Sequence, residues 1–298
     1  MNTLDALRIV DTSGDWNNYS ADPFVDKYNG LDAAAWEALI VRSIDEPRQD
    51  GIAFPRFPPV PLQERIHGHS GATAVKESFE FHNLVTSFAT KLQLPVGRNT
   101  KILDFGSGWG RIVRPFMAKT ELRNIIGFEP NPMFVQVARE LNPYVSFVTG
   151  DYDPPTVFKD KQFDMVVSWS VFTHLPVTLA RQWLQEFARI VRPGGLIFIT
   201  VWGERFIDQL MAQENKMKRG AEIHWYHKKV IETAGDLATL RARYDAGEVI
   251  FLPSEYNDLY GDTFMSAKAS KAIVSPKLSL VGQDSQTIGQ DLLVYCRT

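Results

Sequence analysis

The feature of the sequence that most constrains the fold is the segment Lys101–Arg111, which reads Lys-Ile-Leu-Asp-Phe-Gly-Ser-Gly-Trp-Gly-Arg. An apolar run enters three glycines at every second position, and an apolar pattern with helical spacing begins at Ile112. This order predicts a buried strand, a tight turn and a helix. Gly106, Gly108 and Gly110 lack a Cβ, so a ligand can approach bare backbone there. Because the first amides of a helix favour anions, the segment predicts a site for a small anionic or zwitterionic ligand.

The spacing of the glycines narrows the choice of ligand. A dinucleotide-binding fingerprint has its third glycine or alanine three positions after the second, and the residue there is Arg111. The arrangement Asp104-x-Gly106-x-Gly108-x-Gly110, with Ser107 inside the turn, instead resembles the first motif of the class I S-adenosylmethionine-dependent methyltransferases. The resemblance implies that this loop lies against the methionine end of the cofactor.

Acidic residues follow the next two predicted strands. Glu129 ends a strand from Asn124 to Phe128 and stands 19 residues after Gly110, with Pro130 beside it. That spacing is typical of an acidic residue that accepts hydrogen bonds from ribose hydroxyls, although a polar loop residue is the alternative. Asp151 follows a third strand, and the resemblance implies that it accepts a hydrogen bond from the adenine amino group. Tyr152 could pack on the adenine or be a surface aromatic residue.

The fourth and fifth predicted strands extend the resemblance. The fourth runs from Phe163 to Trp169, and Arg-Pro-Gly-Gly at 192–195 opens the fifth, which runs from Leu196 to Trp202. With the earlier motifs, the resemblance covers about residues 101–202. It implies that Ser168 and Trp169 contribute to the cofactor site. Trp109 and Trp169 could line that site, where an aromatic face favours the sulfonium, or belong to the core.

His174 is the candidate catalytic residue. It follows the fourth strand, and an unperturbed imidazole titrates near neutrality, as a general base for a hydroxyl acceptor requires. The alternative is that it only caps the turn before Pro176. His224 and His227 are the reserve candidates.

The predicted fold class is α/β, doubly wound and Rossmann-like. The resemblance implies a seven-stranded sheet that ends in a C-terminal antiparallel hairpin. The hairpin strands are predicted near Lys277–Val281 and Asp291–Cys296, after a short helix over Thr263–Val274. The predicted limits are an N-terminal extension or lid at 1–72, the core with the cofactor site at 73–203, a cap insertion after the fifth strand at 204–262, and the end of the core at 263–298.

The additions to the core are rich in aromatic residues and proline. The extension carries Trp16, Tyr19, Phe24 and Tyr28, and its later prolines predict a strap without a central helix or strand. His67 and His69 are interpreted as turn residues. In the insertion, an aromatic cap over the acceptor is favoured over a satellite core, and it comprises His224-Trp-Tyr-His227, Tyr244, Phe251, Tyr256 and Tyr260.

Composition excludes several classes of function. The formal net charge is -3 and charges of both signs are interspersed, so we expect no nucleic-acid partner. Cys296 is the single cysteine, and no apolar run approaches the length of a membrane span, which predicts a cytoplasmic protein without a membrane partner. We expect no metal site. The oligomeric state stays open, with a homodimer as one option.

Three functions stay open. The favoured one, which the resemblance implies, is methyl transfer from S-adenosylmethionine to a small molecule, at an oxygen of a sugar, a glycan or a secondary metabolite. The second is an NAD-dependent oxidoreductase, which Arg111 and the terminal hairpin disfavour. The third is a protein that binds S-adenosylmethionine without catalysing transfer.

Overall fold

The structure is a computed structural model that describes residues 22–254 and 257–298. Trp16, Tyr19 and Tyr256, which the sequence analysis assigned to the extension and the cap, lie outside the described residues. The helices are α1 Val25–Tyr28, α2 Ala33–Arg42, α3 Val60–His67, α4 Gly71–Lys91, α5 Val113–Phe116, α6 Pro132–Leu141, α7 Val177–Ile190, α8 Glu204–Lys218, α9 Trp225–Ala234, α10 Leu237–Ala246 and α11 Ala267–Ser270. The strands are β1 Arg48–Gln49, β2 Ile52–Ala53, β3 Ile102–Phe105, β4 Ile125–Phe128, β5 Ser146–Val148, β6 Phe163–Ser168, β7 Val191–Val201, β8 Ile250–Ser254, β9 Asn257–Phe264, β10 Leu278–Asp284 and β11 Asp291–Arg297.

The main sheet has seven strands in the order β10-β11-β7-β6-β3-β4-β5. Strands β3, β4 and β5 pair in parallel, as do β6 and β7, whereas β11 pairs antiparallel with both β7 and β10. These pairings confirm the predicted α/β class, the seven-stranded sheet and the C-terminal hairpin. The chain forms two compact units, the first ending at Gly150 and the second beginning at Asp151, and each is described by itself.

The first unit contains β3 to β5 and the described part of the N-terminal extension. All four residues of β3 are buried, as expected for a parallel strand that is covered on both faces. Residues of the extension contribute to the core of this unit, because Phe24 is fully buried and its ring lies edge-on to Phe54 and Tyr144. The described extension is therefore an integral part of the unit, fastened by aromatic packing.

The proline-rich segment differs from its prediction at its end. Helix α3 begins at Val60, and Pro61 lies in its first turn, where a missing backbone N–H costs nothing. The expectation that the run contains no helix is therefore wrong there. His67 is likewise the last residue of this helix and not a turn residue.

Arg114 fastens the proline-rich segment to the helix that follows the glycine turn. Its guanidinium donates to the carbonyl oxygens of Pro55 and Arg56 at 3.4 and 2.5 Å. It also lies over the rings of Phe57 and Trp109, 4.2 and 4.6 Å from their centroids. Arg114 is 1% exposed, so these carbonyl and ring contacts take the place of water around a buried cation.

The second unit contains β6, β7, the hairpin and the insertion after β7. The insertion has a hydrophobic cluster of its own, built from helices α8, α9 and α10 and strands β8 and β9. Its buried members are Phe206, Ile207, Leu210, Val230, Ile231, Leu237, Leu240, Tyr244, Ile250 and Phe264. Tyr244 thus belongs to a satellite core, whereas Trp225 and Tyr260 are 70% and 50% exposed.

One predicted element of the second unit is wrong. A helix was expected from Thr263 to Val274, but Thr263 and Phe264 continue β9 and pair with Phe251 and Ile250. Helix α11 is confined to Ala267–Ser270, with Ser266 as its N-cap. The β-branched and aromatic side chains at 263 and 264 suit the strand, and tertiary pairing decides between the alternatives. Within the described ranges, no helix is long and apolar enough to cross a membrane.

Candidate functional site

The glycine segment forms a tight turn that is held by backbone hydrogen bonds. Gly106, Gly108 and Gly110 have φ values of 75°, 52° and 85°, which side chains with a Cβ rarely adopt. The amides of Gly106 and Ser107 both donate to the carbonyl oxygen of Phe128, at 2.8 and 3.0 Å. The turn is therefore fixed to the end of β4.

Gly110 is required for a second reason, which is space. A Cβ at this position would lie 2.7 Å from Asn142 Nδ2 and 2.8 Å from Phe147 Cζ. The Asn142 amide in turn donates to the carbonyl oxygen of Trp109 at 2.8 Å. The turn is thus supported from below by the segment between α6 and β5, which leaves no room for a side chain at position 110.

Glu129 joins the two predicted cofactor motifs of the first unit. Its Oε2 accepts a hydrogen bond from the Gly108 amide, and its Oε1 accepts one from the Asn131 amide, both at 3.0 Å. An ionised carboxylate has about four lone-pair sites, so both oxygens keep the capacity to accept from ligand hydroxyls. Burial raises the pKa of Glu129, and the two backbone amides oppose that change.

Asp104 lies in β3 and Ser107 lies in the glycine turn, and within the part of the chain that the structure describes each side chain has a polar atom without a hydrogen-bond partner. Asp104 Oδ2 and Ser107 Oγ are buried and have no hydrogen-bond partner among the described residues. Burial raises the pKa of Asp104 to about 8; the charge of Glu129 adds to the change, and Arg111 opposes it. Buried polar atoms without partners are uncommon in native proteins, and they mark a place where a ligand can supply the missing bonds.

Arg111 explains in structural terms why the dinucleotide spacing fails. Its side chain is buried and donates to the Ala74 carbonyl and to the Glu77 carboxylate, both at 3.1 Å. Position 111 is thus occupied by a cation that binds helix α4, where a dinucleotide fingerprint has a small residue for close helix–strand packing.

Trp109 is a core residue. Its side chain is fully buried in a cluster with Leu62, Val137 and Leu141, and the ring of His67 lies 5.7 Å from it. Of the two interpretations that the sequence left open, the structure supports the core and not the lining of a ligand site.

The remaining predicted cofactor residues differ in exposure, and all of them except Pro130 belong to the second unit. Asp151 and Tyr152 are exposed, Tyr152 by 59%, and the Tyr152 carbonyl oxygen accepts a hydrogen bond from Trp183 Nε1 at 3.1 Å. Ser168 is fully buried at the end of β6, and Trp169 after it is half-buried. Pro130, in the first unit, is half-buried.

The turn after β6 contains a residue in an unfavourable backbone conformation and is held by side-chain hydrogen bonds. Ser170 has a φ of 57°, unusual for a residue with a side chain. Its amide donates to Thr200 Oγ1 at 2.7 Å, and its hydroxyl accepts from Gln290 Nε2 at 2.8 Å. The hydrogen bonds to Thr200 in β7 and to Gln290, which precedes β11, hold this conformation, and the chain then continues to His174.

His174 lies in a defined hydrogen-bonding environment. Its Nδ1 is 2.8 Å from the carbonyl oxygen of Gly261, which can only accept, so Nδ1 carries the proton and Nε2 keeps a lone pair. The ring stacks on Tyr260, with centroids 4.7 Å apart and planes 16° apart. Burial lowers the pKa of His174, while the Gly261 carbonyl and the Asp262 carboxylate oppose that change and Lys229 adds to it.

The reserve histidines lack comparable surroundings. His224 is exposed, and its Nδ1 caps helix α9 by accepting from the Tyr226 amide at 3.3 Å. His227 stands beside it, with the ring centroids 5.7 Å apart, and burial is the main reason that its pKa is lowered. The bond from the Tyr226 amide occupies the lone pair of His224 Nδ1, so neutral His224 carries its proton on Nε2 and that nitrogen cannot act as a base. His227 Nδ1 is buried and has no hydrogen-bond partner among the described residues.

Two charged residues near His174 were missed as functional residues. Asp262 Oδ1 lies 3.8 Å from His174 Nδ1, and Lys229 Nζ lies 3.5 Å from Asp262 Oδ2. The signal available in the sequence was the run Tyr260-Gly-Asp-Thr-Phe264, in which an aspartate stands inside an apolar, β-rich segment.

The segment that contains the glycine turn is similar to known methyltransferases. The methyltransferase domain family matches residues 102–195, the stretch from β3 to the start of β7. The chain is 28% identical over 190 residues to the 2-methyl-6-phytyl-1,4-hydroquinone methyltransferase of Synechocystis sp.. The matched stretch covers 60% of this chain and 58% of that protein. It is 30% identical over 119 residues to the demethylmenaquinone methyltransferase of Chlorobaculum tepidum, covering 40% and 48%.

The chain thus spans about half the length of the curated relatives that it matches. Among solved structures, that of magnesium protoporphyrin IX methyltransferase from Synechocystis PCC 6803 with bound SAH is 12% identical. The match covers 80% of this chain and 94% of that chain, with a TM-score of 0.49.

Proposed function

Since the chain carries a methyltransferase domain of the class I, S-adenosylmethionine-dependent type, we propose that it transfers a methyl group to a hydroxylated small molecule, with His174 as general base. The observation that supports the base most strongly is the hydrogen bond from His174 Nδ1 to the Gly261 carbonyl, which leaves Nε2 able to accept a proton.

The first unit fits a cofactor that carries a ribose and an amino-acid end. The Glu129 carboxylate is anchored by two amides and retains acceptor sites for ribose hydroxyls. Asp104 Oδ2 and Ser107 Oγ, which have no partner among the described residues, can bond to the amino-acid end. Bound S-adenosylmethionine would supply an electrophilic methyl group on a positively charged sulfur.

The other predicted contacts keep their roles as parts of this proposal. Asp151 is exposed and, as an acceptor, suits an exocyclic amino group. Tyr152 is exposed enough for its ring to stack on a base. Ser168 and Trp169 stand at the end of β6. Ser168 Oγ is buried without a hydrogen-bond partner among the described residues, as Ser107 Oγ is, and Trp169 is half-buried, so we assign a ligand contact to both.

The neutral form of His174 is the form that catalysis needs. Burial keeps the pKa of His174 below its ordinary value, so the ring is unprotonated at neutral pH. A hydroxyl oxygen is a poor nucleophile until its proton begins to leave, and a positioned base typically contributes about 100-fold to 10,000-fold to such a step. His174 can take that proton at Nε2 and hold it until it is lost to solvent.

The relatives suggest a second acceptor atom. One is named for a hydroquinone and another for demethylmenaquinone. If the acceptor of this chain is also a hydroquinone, removal of a ring hydroxyl proton increases the electron density on the ring carbons as well as on oxygen. The same base would then serve methylation at carbon, and the site of methylation must be measured.

The test is a transfer assay with a 13C-labelled methyl donor and a panel of sugars, phenols and hydroquinones. The carbon chemical shift of the new methyl group separates oxygen from carbon as the acceptor. We expect turnover on a hydroxylated acceptor, a loss of about 100-fold or more in His174→Gln, and unchanged S-adenosylhomocysteine affinity. His224→Gln is the matched control and should retain turnover. Binding of both adenosyl compounds without transfer to any acceptor would favour the non-catalytic alternative.

A further inference from the structure

A buried carboxylate stands behind His174 without an assigned role. The side chain of Asp262 in β9 is 2% exposed. Its Oδ1 accepts a hydrogen bond from the Tyr226 hydroxyl at 2.5 Å, and its Oδ2 lies 3.5 Å from Lys229 Nζ. Burying an ionised carboxylate costs several kcal/mol unless it is paired and hydrogen-bonded, so helix α9 provides the partners that hold a negative charge at this place.

The carboxylate is placed to act on the charge of His174 and not on its tautomer. Asp262 Oδ1 is 3.8 Å from His174 Nδ1, too far for a hydrogen bond and near enough for an ion pair. The Gly261 carbonyl, at 2.8 Å, already fixes the Nδ1 proton. When Nε2 accepts a proton, the ring becomes a cation beside a buried anion, and their attraction is strong where water is excluded.

Strand β9 is bonded directly to the segment that carries the histidine. The Gly261 amide donates to the His174 carbonyl oxygen at 3.1 Å, and the Thr263 amide donates to the Thr173 carbonyl oxygen at 2.7 Å. The Thr263 hydroxyl adds a bond to the Leu175 carbonyl oxygen at 2.6 Å. Asp262 lies between these bonds, so its distance from His174 is set by the backbone before any acceptor binds.

The groups that face His174 have opposing effects on its pKa. The Asp262 carboxylate and the Gly261 carbonyl favour the imidazolium, whereas burial and the Lys229 ammonium disfavour it. Tyr260 covers one face of the ring, and the pKa of its hydroxyl is raised to about 12, so it stays neutral. Tyr226 also stays neutral, because burial and Asp262 raise its pKa. Asp262 is therefore the one negative charge among the described groups that face the ring.

We propose that Asp262 is a positioning residue for methyl transfer, whose carboxylate stabilises the imidazolium that His174 forms when it takes the acceptor's proton. This inference rests on the proposed function. In the step, the O–H bond of the acceptor breaks and its proton goes to Nε2, while the oxygen forms a bond to the methyl carbon. The C–S bond breaks with its electron pair left on sulfur, and the positive charge passes from the sulfonium to His174.

The test measures the pKa of His174 directly. The chain has six histidines, and the His174 resonance is identified as the one lost in His174→Gln. In Asp262→Asn we expect the pKa of His174 to fall by about one unit, since an opposite charge at this distance shifts a pKa by roughly that much. The acidic limb of the kcat/KM profile should move to lower pH by the same amount, and the plateau should drop because the base is weaker.

Asp236→Asn is the matched control, because Asp236 is an exposed N-cap that does not face His174. It should leave the pKa of His174 and the pH profile unchanged. If Asp262→Asn does not fold, Asp262→Ser replaces it, because the serine hydroxyl can still accept from Tyr226 and carries no charge; the same fall in the pKa of His174 is expected.

The experiment distinguishes failure of the role proposed for Asp262 from failure of the proposed function. An unchanged His174 pKa in folded Asp262→Asn, or in folded Asp262→Ser, would overturn the role of Asp262 whatever the turnover. Absence of transfer by the unsubstituted protein with every acceptor would instead overturn the base assigned under the proposed function. The titration still decides whether Asp262 controls the charge of His174.

Discussion

Glu129 accepts a hydrogen bond from the backbone amide of Gly108 at 3.0 Å, so the acidic residue after β4 is bonded directly to the glycine turn after β3. The two motifs that the sequence presents 21 residues apart are therefore one structure. A substitution at either residue should change the conformation of the other. The Glu129 carboxylate therefore has two proposed roles, which are to bind the ligand and to hold the glycine turn through the Gly108 amide.

Replacement of Glu129 by Gln should weaken binding of S-adenosylhomocysteine about 10-fold to 100-fold. The amide keeps one acceptor oxygen but loses the charge, and a hydrogen bond to a charged group contributes about 1.5–3 kcal/mol. Titration calorimetry measures the change. Glu140→Gln removes an exposed carboxylate on α6 and should bind as the unsubstituted protein does. Equal affinities of the two variants would exclude Glu129 from the cofactor site.

Substitution of Gly110 by Ala should destabilise the fold by about 2–4 kcal/mol, since the backbone at φ 85° and the contacts with Asn142 and Phe147 both oppose a side chain. Gly97→Ala is the matched control, because a Cβ there meets nothing within 4 Å. Urea unfolding monitored by circular dichroism compares the two. A loss below about 0.5 kcal/mol for Gly110→Ala would show that the turn can move aside.

The sequence predicted the parts of the fold that depend on local chemistry. Three glycines after an apolar run dictate a turn, whereas the antiparallel hairpin of β10 and β11 was predicted from the resemblance to the methyltransferase family. The failures arose where tertiary contacts override local preference. Thr263 and Phe264 continue a strand because β8 pairs with them, and no pattern within residues 263–274 reports that partner.

The same distinction between local sequence patterns and tertiary contacts applies to the candidate site. His174 was identified from its place after a strand, but Asp262, which is 88 residues away, was not. Pairing of distant segments through the Gly261 and Thr263 amides brings them together. Trp109 shows the opposite case, because its place in the motif was visible and its complete burial was not.

Asp104 should make the stability of the protein fall as the pH rises. Burial raises its pKa from 3.8 to about 8 in the folded state, so between these values the folded protein holds a proton that the unfolded chain has released. The free energy of unfolding then decreases with pH in this window, with a limiting slope of about 1.4 kcal/mol per pH unit. Urea unfolding from pH 5 to 7.5 should show a shallower decrease in Asp104→Asn. Identical slopes would mean that Asp104 is ionised throughout.

Arg114→Met should cost about 2–4 kcal/mol of stability, because the carbonyl oxygens of Pro55, Arg56 and Gly110 each lose a donor. Methionine fills much of the space over Phe57 but donates no hydrogen bond. Arg123→Met, at a side chain that is 77% exposed, is the control and should change stability by less than about 0.5 kcal/mol. Equal unfolding midpoints of the two variants would mean that Arg114 does not hold the proline-rich segment.

The measurement that tests the central claim most directly is calorimetric titration of the purified protein with S-adenosylmethionine, S-adenosylhomocysteine and NAD. We predict that both adenosyl compounds bind at one site per chain, that Glu129→Gln weakens both, and that NAD gives no heat of binding. Binding of NAD without binding of either adenosyl compound would contradict the assignment, and with it the roles proposed for Glu129, Asp151 and His174.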